Sequence, residues 1–390
     1  MVLRRGDLAL VPCRNGIKTA ALIKSHLEDI CTEQEARLGE KKEEEFTPVE
    51  ERESEFIRRK NRHGIEIVSN KVKDFNDGEI LPTIEESVRG KDVFLIQNVL
   101  DPEAVINPVN KRMETTSHNI LEMLLTLDAL KRADCANLTL LLPYLSYGKQ
   151  ERRQGRQSAS AKVIIDALYM CGADKLITMD VHTPAIQSFS GTRELRIENL
   201  YASAIMINYL VREMKFDGVF VAPDANAGKN VVYYSKIFDM PMALGYKSRK
   251  PDSHHDLEEM RLLGSEAVQG KRVVIVDDQI AGGKTTINMA TLVKNAGASE
   301  IHAVVTHAML LHDAEEKFRA AVGEGLLKGI IVTNTLPHSE DFFRRNPYIM
   351  QLDAMKMFAY AIFETHTDGS ISSLYSAKLR EAMFGSDHKA

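Results

Sequence analysis

The chain is poor in the residues that build zinc sites, disulfide frameworks and membrane spans. Its 390 residues include four cysteines and no tryptophan. The cysteines are scattered without a CxxC pair, which argues against a zinc site and a disulfide framework. No apolar run reaches the ~18 residues that a membrane-spanning helix needs, and the first residues lack the apolar core of a signal peptide. We therefore expect small buried thiols in a reducing cytoplasm.

The chain also lacks an excess of positive charge. Its formal net charge is −5, from 50 Lys and Arg against 55 Asp and Glu. A basic surface is the usual mark of proteins that bind nucleic acids or anionic membranes, so the composition disfavours both partners. The content of 44% hydrophobic and 27% charged residues is typical of a globular enzyme.

The order of apolar runs predicts an α/β protein with two domains. A length of 390 residues favours two domains, and alternating strand-like and amphipathic stretches are typical of parallel sheets covered by helices. The predicted strands lie at 7–11, 92–96, 138–142, 175–179, 218–222, 272–276, 302–306 and 329–332, and the predicted helices include 118–133 and 160–171. We place one domain at 1–202 and the other at 203–365, and we expect 366–390 to return to the first.

A charged stretch interrupts this alternation. Residues 32–62 are dominated by Glu, Lys and Arg, and such a composition can bury little apolar surface. We expect a solvated insertion that is helical or partly disordered. It is either an exposed face without a role of its own, or an oligomer contact or regulatory flap.

The most informative segment is GKRVVIVDDQIAGGKTT at 270–286. Its β-branched run predicts a buried parallel strand that leads into two acids, two glycines and a Lys-Thr pair, with a helix from about 287. Glycines let the backbone approach a phosphate, and the amides and dipole of a helix start favour its charge. Position 278 is Asp where a Walker A loop needs Gly. The segment is a different phosphate cradle, or only a strand-to-helix turn.

Polar residues also follow other predicted strands. FNDGE at 75–79 is a tight turn with exposed acids, and PYLSYGKQERR at 143–153 places cations and tyrosines after a buried strand. Two further strands end at His182 and Asp224. Ligands of α/β proteins bind at the carboxyl ends of strands, so these ends predict a site, and hard oxygen ligands beside a polyphosphate favour Mg²⁺. Taken alone, the first segment is only a turn and the second a solvated basic loop.

The segment GYKSRKPDS at 245–253 is cationic and loop-like. It could fold over a phosphoryl group and neutralise developing charge. The alternative is another solvated basic loop.

Taken in order, these segments resemble the ribose-phosphate diphosphokinase family, the phosphoribosyl diphosphate synthetases. The resemblance covers roughly 66–380 and a strand–helix pair at 7–30. Its motifs are FNDGE, IEESVRGKDVFLIQ, PYLSYGKQERR with SAK, MDVHTPAIQSFS with ENLYA, VAPD, YKSRK and VVIVDDQIAGGKTT. It implies two phosphoribosyltransferase-like domains, each a mostly parallel sheet flanked by helices, and a homo-oligomer built from dimers, such as a hexamer.

The resemblance also implies a reaction and a set of residues. Diphosphate passes from Mg-ATP to the 1-hydroxyl of ribose 5-phosphate, and AMP leaves. Lys247 and Arg249 match the cations that stabilise the transition state, and His182 and Asp224 match the metal-associated residues. The residues that match ATP contacts are Asp77, Glu79, Lys149, Gln150, Glu151 and His182. Those that match contacts to the ribose phosphate are Asp277, Asp278, Ala281, Gly282, Gly283, Lys284 and Thr285. Those that match an allosteric phosphate site are Ser87, Arg89 and Ser370. Asp77 and Glu79 would reach the adenine of a neighbouring subunit.

The sequence departs from the family pattern in the phosphate loop. Ala281 and Gly282 stand where Asp or Ser and Thr are usual, and Lys284 stands where Gly is usual. Lys149 replaces an Arg, which exchanges a planar fork for a point charge, and 154–157 is one residue short. These departures leave the acceptor and the allosteric control open.

Three other functions therefore stay open. A paralogue could act on another ribosyl phosphate such as ADP-ribose, because Lys284 could meet a second phosphate. A non-catalytic, synthetase-like regulatory subunit is disfavoured because the chain keeps the residues matched to catalysis. A transferase that places a base on phosphoribosyl diphosphate is disfavoured by the presence of a nucleotide side.

Overall fold

The computed structural model describes residues 6–103, 115–153, 155–189, 195–225, 227–249 and 258–375, without the side chains of 247–249 and 258–259. The chain packs into two compact units. The first comprises the described residues up to Tyr201 and from Ala354 onward, and the second runs from Ala202 to Asp353. The return to the first unit thus begins at 354, earlier than the expected position 366.

The first unit is built on a parallel sheet. Its strands are β1 (Leu8–Pro12), β2 (Glu66–Ile67), β3 (Asn70–Asp74), β4 (Ile80–Ile84), β5 (Asp92–Ile96), β6 (Asn137–Leu142), β7 (Lys175–Met179) and β8 (Arg196–Leu200). Six of them pair in the order β2-β1-β5-β6-β7-β8, all parallel. The strands β3 and β4 form a separate antiparallel hairpin. Every residue of β1 and β5 is buried, as expected for strands covered on both faces.

Four helices of this unit lie between its strands along the chain. They are α1 (Ile17–Gly39), α2 (Pro48–His63), α3 (Thr116–Arg132) and α4 (Ser160–Met170). The bounds of α3 and α4 agree with the predicted helices to within two residues.

The second unit repeats the α/β plan. Its strands are β9 (Gly218–Ala222), β10 (Met242–Arg249), β11 (Glu258–Leu263), β12 (Arg272–Ile280), β13 (Glu300–Ala308), β14 (Gly329–Thr333) and β15 (Ile349–Leu352), and its helices are α5 (Ser203–Arg212), α6 (Gly228–Phe238), α7 (Lys284–Asn295), α8 (Ala314–Gly323) and α9 (Glu340–Arg345). The strand order is β11-β10-β9-β12-β13-β14-β15, and only the β10–β11 pair is antiparallel. The predicted α/β class with mostly parallel sheets is confirmed.

The last helix, α10 (Met355–His366), belongs to the first unit. Ten of its twelve residues are buried, and it packs against α1. Its Tyr360 hydroxyl donates to Glu33 of α1 at 2.7 Å. His366 lies 2.8 Å from the buried carboxylate of Asp92, at the start of β5. These contacts explain why the chain returns to the first unit before position 366.

The charged stretch 32–62 is helical, as one alternative predicted, but the expectation that it buries little surface is wrong. Its first residues extend α1, and α2 buries Phe56 and Ile57. The Phe56 ring lies 5.8 Å from that of Phe363 and 4.6 Å from that of His366, between centroids. The helix docks because apolar side chains recur on one face and because Arg37 of α1 pairs with its two buried glutamates, Glu50 and Glu53.

The cysteines are free thiols, as predicted. Cys13, Cys31 and Cys135 are buried, and Cys171 is half-buried. Burial raises the pKa of Cys31 to about 12 and that of Cys135 to about 11, which leaves little reactive thiolate at neutral pH. None of the described helices combines the length and apolar character needed to cross a membrane.

Candidate active site

The phosphate cradle lies between β12 and α7 of the second unit. The predicted strand end at 276 and helix start near 287 are both wrong by a few residues, since β12 continues to Ile280 and α7 begins at Lys284. The strand continues because β13 runs beside it, with Asp277 opposite Val305 and Gln279 opposite His307. Asp277 and Asp278 therefore lie within the strand.

Gly283 fixes the turn into α7. Its φ of 75° lies in the left-handed region, and a Cβ at this position would stand 2.6 Å from the Phe318 ring. Gly283 is also the N-cap of α7, and no side chain caps the helix there. The first amides of a helix lack acceptors within the helix. The loop therefore offers uncapped donors and a positive dipole end to an anion.

The side chains of the loop differ in exposure. Ala281 and Lys284 are exposed, Thr285 is half-buried and Thr286 is buried. The Lys284 side chain makes no hydrogen bond or ion pair with the other described residues. A Cβ added to Gly282 would meet no atom within 4 Å. The loop thus leaves open space beside the cationic side chain of Lys284.

Three carboxylates lie close together near the carboxyl ends of β9 and β12, next to this cradle. Asp224 follows β9, and its Oδ1 accepts from the Ala227 amide at 3.1 Å. Asp277 accepts from the Asp278 amide at 2.9 Å. Burial, followed by the neighbouring Asp278 and Asp224 carboxylates, raises the pKa of Asp277 well above its usual value. Such crowding is electrostatically unfavourable until a cation or hydroxyl donors compensate it.

The carboxylates suit a hard cation but do not form a complete cage. Among the described residues, no group of three or more His, Cys, Asp or Glu side chains is arranged to hold a metal ion alone. Mg²⁺ typically uses one or two carboxylates and takes its other ligands from water and substrate phosphates. The site therefore fits a cation that arrives with a polyphosphate.

In the first unit, the segment after β6 meets the segment after β7. A Cβ on Gly148 would lie 3.6 Å from the Cβ of His182, so the basic loop and the histidine are neighbours. Lys149 and Gln150 are exposed, and the Gln150 amide donates to the Tyr147 carbonyl at 2.8 Å. The Glu151 carboxylate lies 3.5 Å from Arg152. This end of the sheet presents donors and cations to solvent.

Asp77 and Glu79 lie on the turn of the β3–β4 hairpin. Both side chains are exposed. The Glu79 amide donates to Asp77 Oδ1 at 3.1 Å, and the Phe75 amide donates to the Glu79 carbonyl. The prediction of a tight turn with exposed acids is confirmed.

Lys247 and Arg249 lie at the end of β10. The expectation of a loop from 245 is wrong for 245–249, because this stretch pairs with β11, with Lys247 opposite Met260. The side chains of Lys247 and Arg249, and residues 250–257, lie outside the described residues. Their role in catalysis stays a prediction.

The three residues matched to an allosteric phosphate are exposed or near the surface. Ser87 and Arg89 are exposed, and Arg89 pairs with Asp134 at 3.4 Å. The hydroxyls of Ser370 and Ser372 lie 2.7 Å apart. Binding of an effector here stays a prediction.

Four side chains that fix the hairpin escaped the sequence analysis. They are Arg14, Asp74, His118 and Glu122. Their separations along the chain reach 108 residues, and no local pattern joins them. Only Asp74, directly before FNDGE, could have suggested a role.

The chain is similar to proteins of one family over most of its length. A family model of the N-terminal domain of ribose phosphate pyrophosphokinase matches residues 30–172, and a model of the phosphoribosyl synthetase-associated domain matches 252–376. The chain is 33% identical over 317 residues to ribose-phosphate pyrophosphokinase 2, chloroplastic, of Arabidopsis thaliana, which covers 80% of this chain and 72% of the relative. It is 32% identical over 314 residues to ribose-phosphate pyrophosphokinase of Synechococcus elongatus, which covers 80% and 87%.

A solved structure has the same architecture. Phosphoribosylpyrophosphate synthetase from Mycobacterium smegmatis matches with a TM-score of 0.72 and 25% sequence identity. The match covers 93% of this chain and 100% of that chain.

Proposed function

The chain belongs to the ribose-phosphate pyrophosphokinase family of diphosphate-transferring enzymes, and we propose that it transfers diphosphate from Mg-ATP to the 1-hydroxyl of ribose 5-phosphate. One observation supports this most: an uncapped helix start behind a left-handed glycine lies beside three crowded carboxylates. The first feature suits a phosphate, and the second suits a cation and hydroxyl groups. A site that brings a phosphorylated sugar to a metal-bound nucleotide needs both features.

The second unit holds the acceptor. The amides at the start of α7 and the Thr285 hydroxyl bind the 5-phosphate, and the Asp277 and Asp278 carboxyls bind the ribose hydroxyls. These contacts fix the sugar at two ends. Fixing both ends orients its 1-hydroxyl, which lowers the entropic barrier to attack.

Asp224, with Asp277 and Asp278 close by, would hold the cation. Bound there, Mg²⁺ would neutralise polyphosphate charge and polarise the phosphoryl oxygens. The crowded carboxylates supply the negative potential that attracts it. Without a cation, their charges would repel the nucleotide's phosphates.

The first unit holds the nucleotide. Lys149, Gln150 and Glu151 contact ATP after β6, and His182 lies beside them. Lys149 binds phosphate as a point charge rather than as a fork. Asp77 and Glu79 accept hydrogen bonds from the adenine of a neighbouring subunit, so the enzyme works as a homo-oligomer. Mass measurement in solution tests that assembly, and a fully active monomer would contradict it.

The transfer itself is a single displacement. The 1-hydroxyl oxygen forms a bond to the β-phosphorus of ATP and releases its proton to solvent water. The bond between the β-phosphorus and the oxygen bridging to the α-phosphate breaks, and AMP leaves with that oxygen. Lys247 and Arg249 stabilise the charge that develops during the transfer.

The activity is tested by measuring AMP and phosphoribosyl diphosphate formed from ATP and ribose 5-phosphate. We expect both products in equal amounts with Mg²⁺ and neither in excess EDTA. Asp224→Asn should lower kcat by about 10²–10³-fold, the range for loss of one charge-stabilising group. Asp217→Asn, an exposed acid just before β9, serves as the charge-matched control. ATP turnover that persists in EDTA would contradict the metal assignment.

A second acceptor class is favoured by the open loop. Lys284 is exposed without a partner among the described residues, and the space beside Gly282 is free. A ribosyl acceptor with a second phosphate, such as ADP-ribose, could use that cation. Lys284→Gly should then weaken binding of the diphosphate-bearing acceptor by about 1.5–3 kcal/mol, the range for a hydrogen bond to a charged group. Equal and negligible effects on KM for both acceptors would remove Lys284 from the site.

A further inference from the structure

The β3–β4 hairpin needs external contacts to hold its direction. It forms a two-stranded sheet of its own, separate from the six-stranded sheet. A lone two-stranded hairpin is only marginally stable in water. Its turn carries Asp77 and Glu79, whose exposed carboxylates point to solvent-accessible space. The position of these acids therefore depends on how the rest of the first unit holds the hairpin.

Arg14 provides one such connection. It lies two residues after the end of β1, and its Nη1 donates to both carboxylate oxygens of Asp74, at 3.1 and 2.9 Å. Asp74 is the last residue of β3, directly before the turn. The Arg14 Nε donates to Glu122 Oε2 at 2.9 Å, and its backbone amide donates to Oε1 of the same carboxylate at 2.8 Å.

The remaining nitrogen of the guanidinium is also occupied. Nη2 of Arg14 lies 3.0 Å from Nε2 of His118. A guanidinium only donates, so His118 Nε2 is the acceptor in this contact. All three side-chain nitrogens of Arg14 thus have partners, and these lie on two elements: Asp74 on the hairpin, and the buried Glu122 and His118 on α3.

These contacts fix direction as well as distance. A guanidinium is planar, and charge-assisted bonds from several of its nitrogens allow little rotation. The side chain of Glu122 is fully buried, so the fork is anchored on a rigid base. Asn70, at the opposite end of β3, is held by a separate hydrogen bond from its Nδ2 to Thr126 at 3.3 Å. The Arg14–Asp74 pair therefore connects the turn end of the hairpin to α3, and the Asn70 bond connects the other end.

We propose that Arg14 is a positioning residue for nucleotide binding, because it aligns the hairpin turn that carries Asp77 and Glu79. This inference rests on the proposed role of those two acids at the adenine. The Arg14 side chain is hydrogen-bonded to protein groups and does not contact the nucleotide. Its effect must appear in the affinity for ATP rather than in the acceptor or in the transfer step.

The test uses Asp74→Ala, which cuts the connection while leaving Arg14 paired with Glu122. We expect the KM for ATP to rise roughly tenfold, corresponding to about 1.4 kcal/mol of lost binding, with kcat and the KM for ribose 5-phosphate within twofold of the parent. Arg14→Lys, which keeps the charge but loses the fork, should give a similar rise. Arg14→Ala is less suitable because it would leave Glu122 buried and unpaired. Thermal unfolding of each variant verifies that the fold is intact.

Glu85→Ala is the matched control. It removes an exposed carboxylate just after the hairpin, where Glu85 accepts from the Ser69 hydroxyl at 2.8 Å and lies 4.0 Å from Lys71. We expect no change in the KM for ATP. A rise equal to that of Asp74→Ala would mean that loss of hairpin charge, and not loss of the Arg14 connection, causes the effect, and it would overturn the inference.

A double-mutant comparison separates this inference from the proposed function. If Asp77→Asn with Glu79→Gln raises the KM for ATP, the hairpin acids contact the nucleotide as proposed. Adding Asp74→Ala to that variant should then cause little further rise, because Arg14 acts through the same acids. Fully additive effects would overturn the positioning role. No effect of Asp77→Asn with Glu79→Gln would instead contradict the assignment of the acids to the nucleotide.

Discussion

The phosphate loop of the second unit (281–285) and the charged segment of the first unit (32–62) are both rich in polar groups, yet they are fixed by different means. The loop is fixed by backbone: Gly283 has a φ of 75°, and the Phe318 ring fills the space that a side chain would need. The charged segment is fixed by side chains: Arg37 and Lys41 bind Glu50, and Phe56 packs on α10.

The two regions are therefore sensitive to different kinds of substitution. A site that is shaped by the backbone depends on glycine at one or two positions, because any Cβ there changes the path of the chain. A side-chain-built contact spreads its stability over several pairs, and each exposed ion pair contributes little. We therefore expect one methyl group to do more damage in the loop than the removal of a whole charged side chain does in the segment.

The largest effect should follow Gly283→Ala. The left-handed backbone costs an L-residue about 1–2 kcal/mol, and the clash with Phe318 adds about 1–3 kcal/mol of overpacking. The loop should shift to relieve both, and a displacement of about 1 Å can cost 10²-fold in rate. We expect kcat/KM for the phosphorylated acceptor to fall at least ~100-fold, measured by product formation at low acceptor concentration.

Gly282→Ala is the control for the stability part of this prediction. Its added Cβ would meet no atom within 4 Å, so its free energy of unfolding should stay within about 0.5 kcal/mol of the parent. Equal unfolding midpoints for the parent, Gly282→Ala and Gly283→Ala would show that the turn is not fixed by its backbone, and the comparison between loop and segment would fail.

A moderate effect should follow Phe56→Ala. The Phe56 side chain is 6% exposed and packs on Phe363 and His366, and truncation of a buried Phe costs about 3–5 kcal/mol. We expect faster hydrogen exchange in α2 and a lower urea midpoint for the first unit, with the acceptor KM within twofold of the parent. Arg58→Ala, which breaks an exposed pair with Glu43, should leave both measurements nearly unchanged. A comparable loss in that control would mean that surface ion pairs hold the segment.

The phosphate loop could be predicted from the sequence because its signals are local. A β-branched run, two acids and two glycines lie within eleven residues, and each indicates a local structural feature. The errors there concern element ends: β12 continues to Ile280 because β13 offers a partner strand, which no local pattern reveals. Pairing across the sheet thus overrides the local composition of 277–280.

The charged segment could not be predicted because its partners are distant. Glu50 and Glu53 read as solvated charges, and they are buried only because Arg37 and Lys41 lie beside them. The docking surface of Phe56 comes from α10, more than 300 residues along the chain. The Arg14 cluster escaped prediction for the same reason. In each case the sequence shows the groups but not which of them meet.

The smallest effect, and the sharpest in its pH dependence, should follow Glu50→Gln. The Lys41 ammonium donates to Glu50 at 2.7 Å, and the Thr47 amide donates at 2.9 Å as part of a capping box. These donors lower the pKa of Glu50 from 4.5 to about 2. A lowered pKa means that the unfolded chain takes up the proton first. The stabilisation is therefore complete above about pH 5 and disappears as pH falls towards 2.

The difference in unfolding free energy between the parent and Glu50→Gln measures this contribution. We expect about 1 kcal/mol or less at neutral pH, because Lys41 is 44% exposed and screened by solvent, and a further decrease in high salt. Glu51→Gln, the next residue and exposed, should show a difference of only a few tenths of a kcal/mol. The contribution of Glu53 to the unfolding free energy depends on pH in the opposite direction. Burial raises the pKa of Glu53, so its charged form destabilises the fold as pH rises. A Glu50 difference that persists at pH 2 would place its contribution in packing rather than in charge, and the segment would then depend on shape as the loop does.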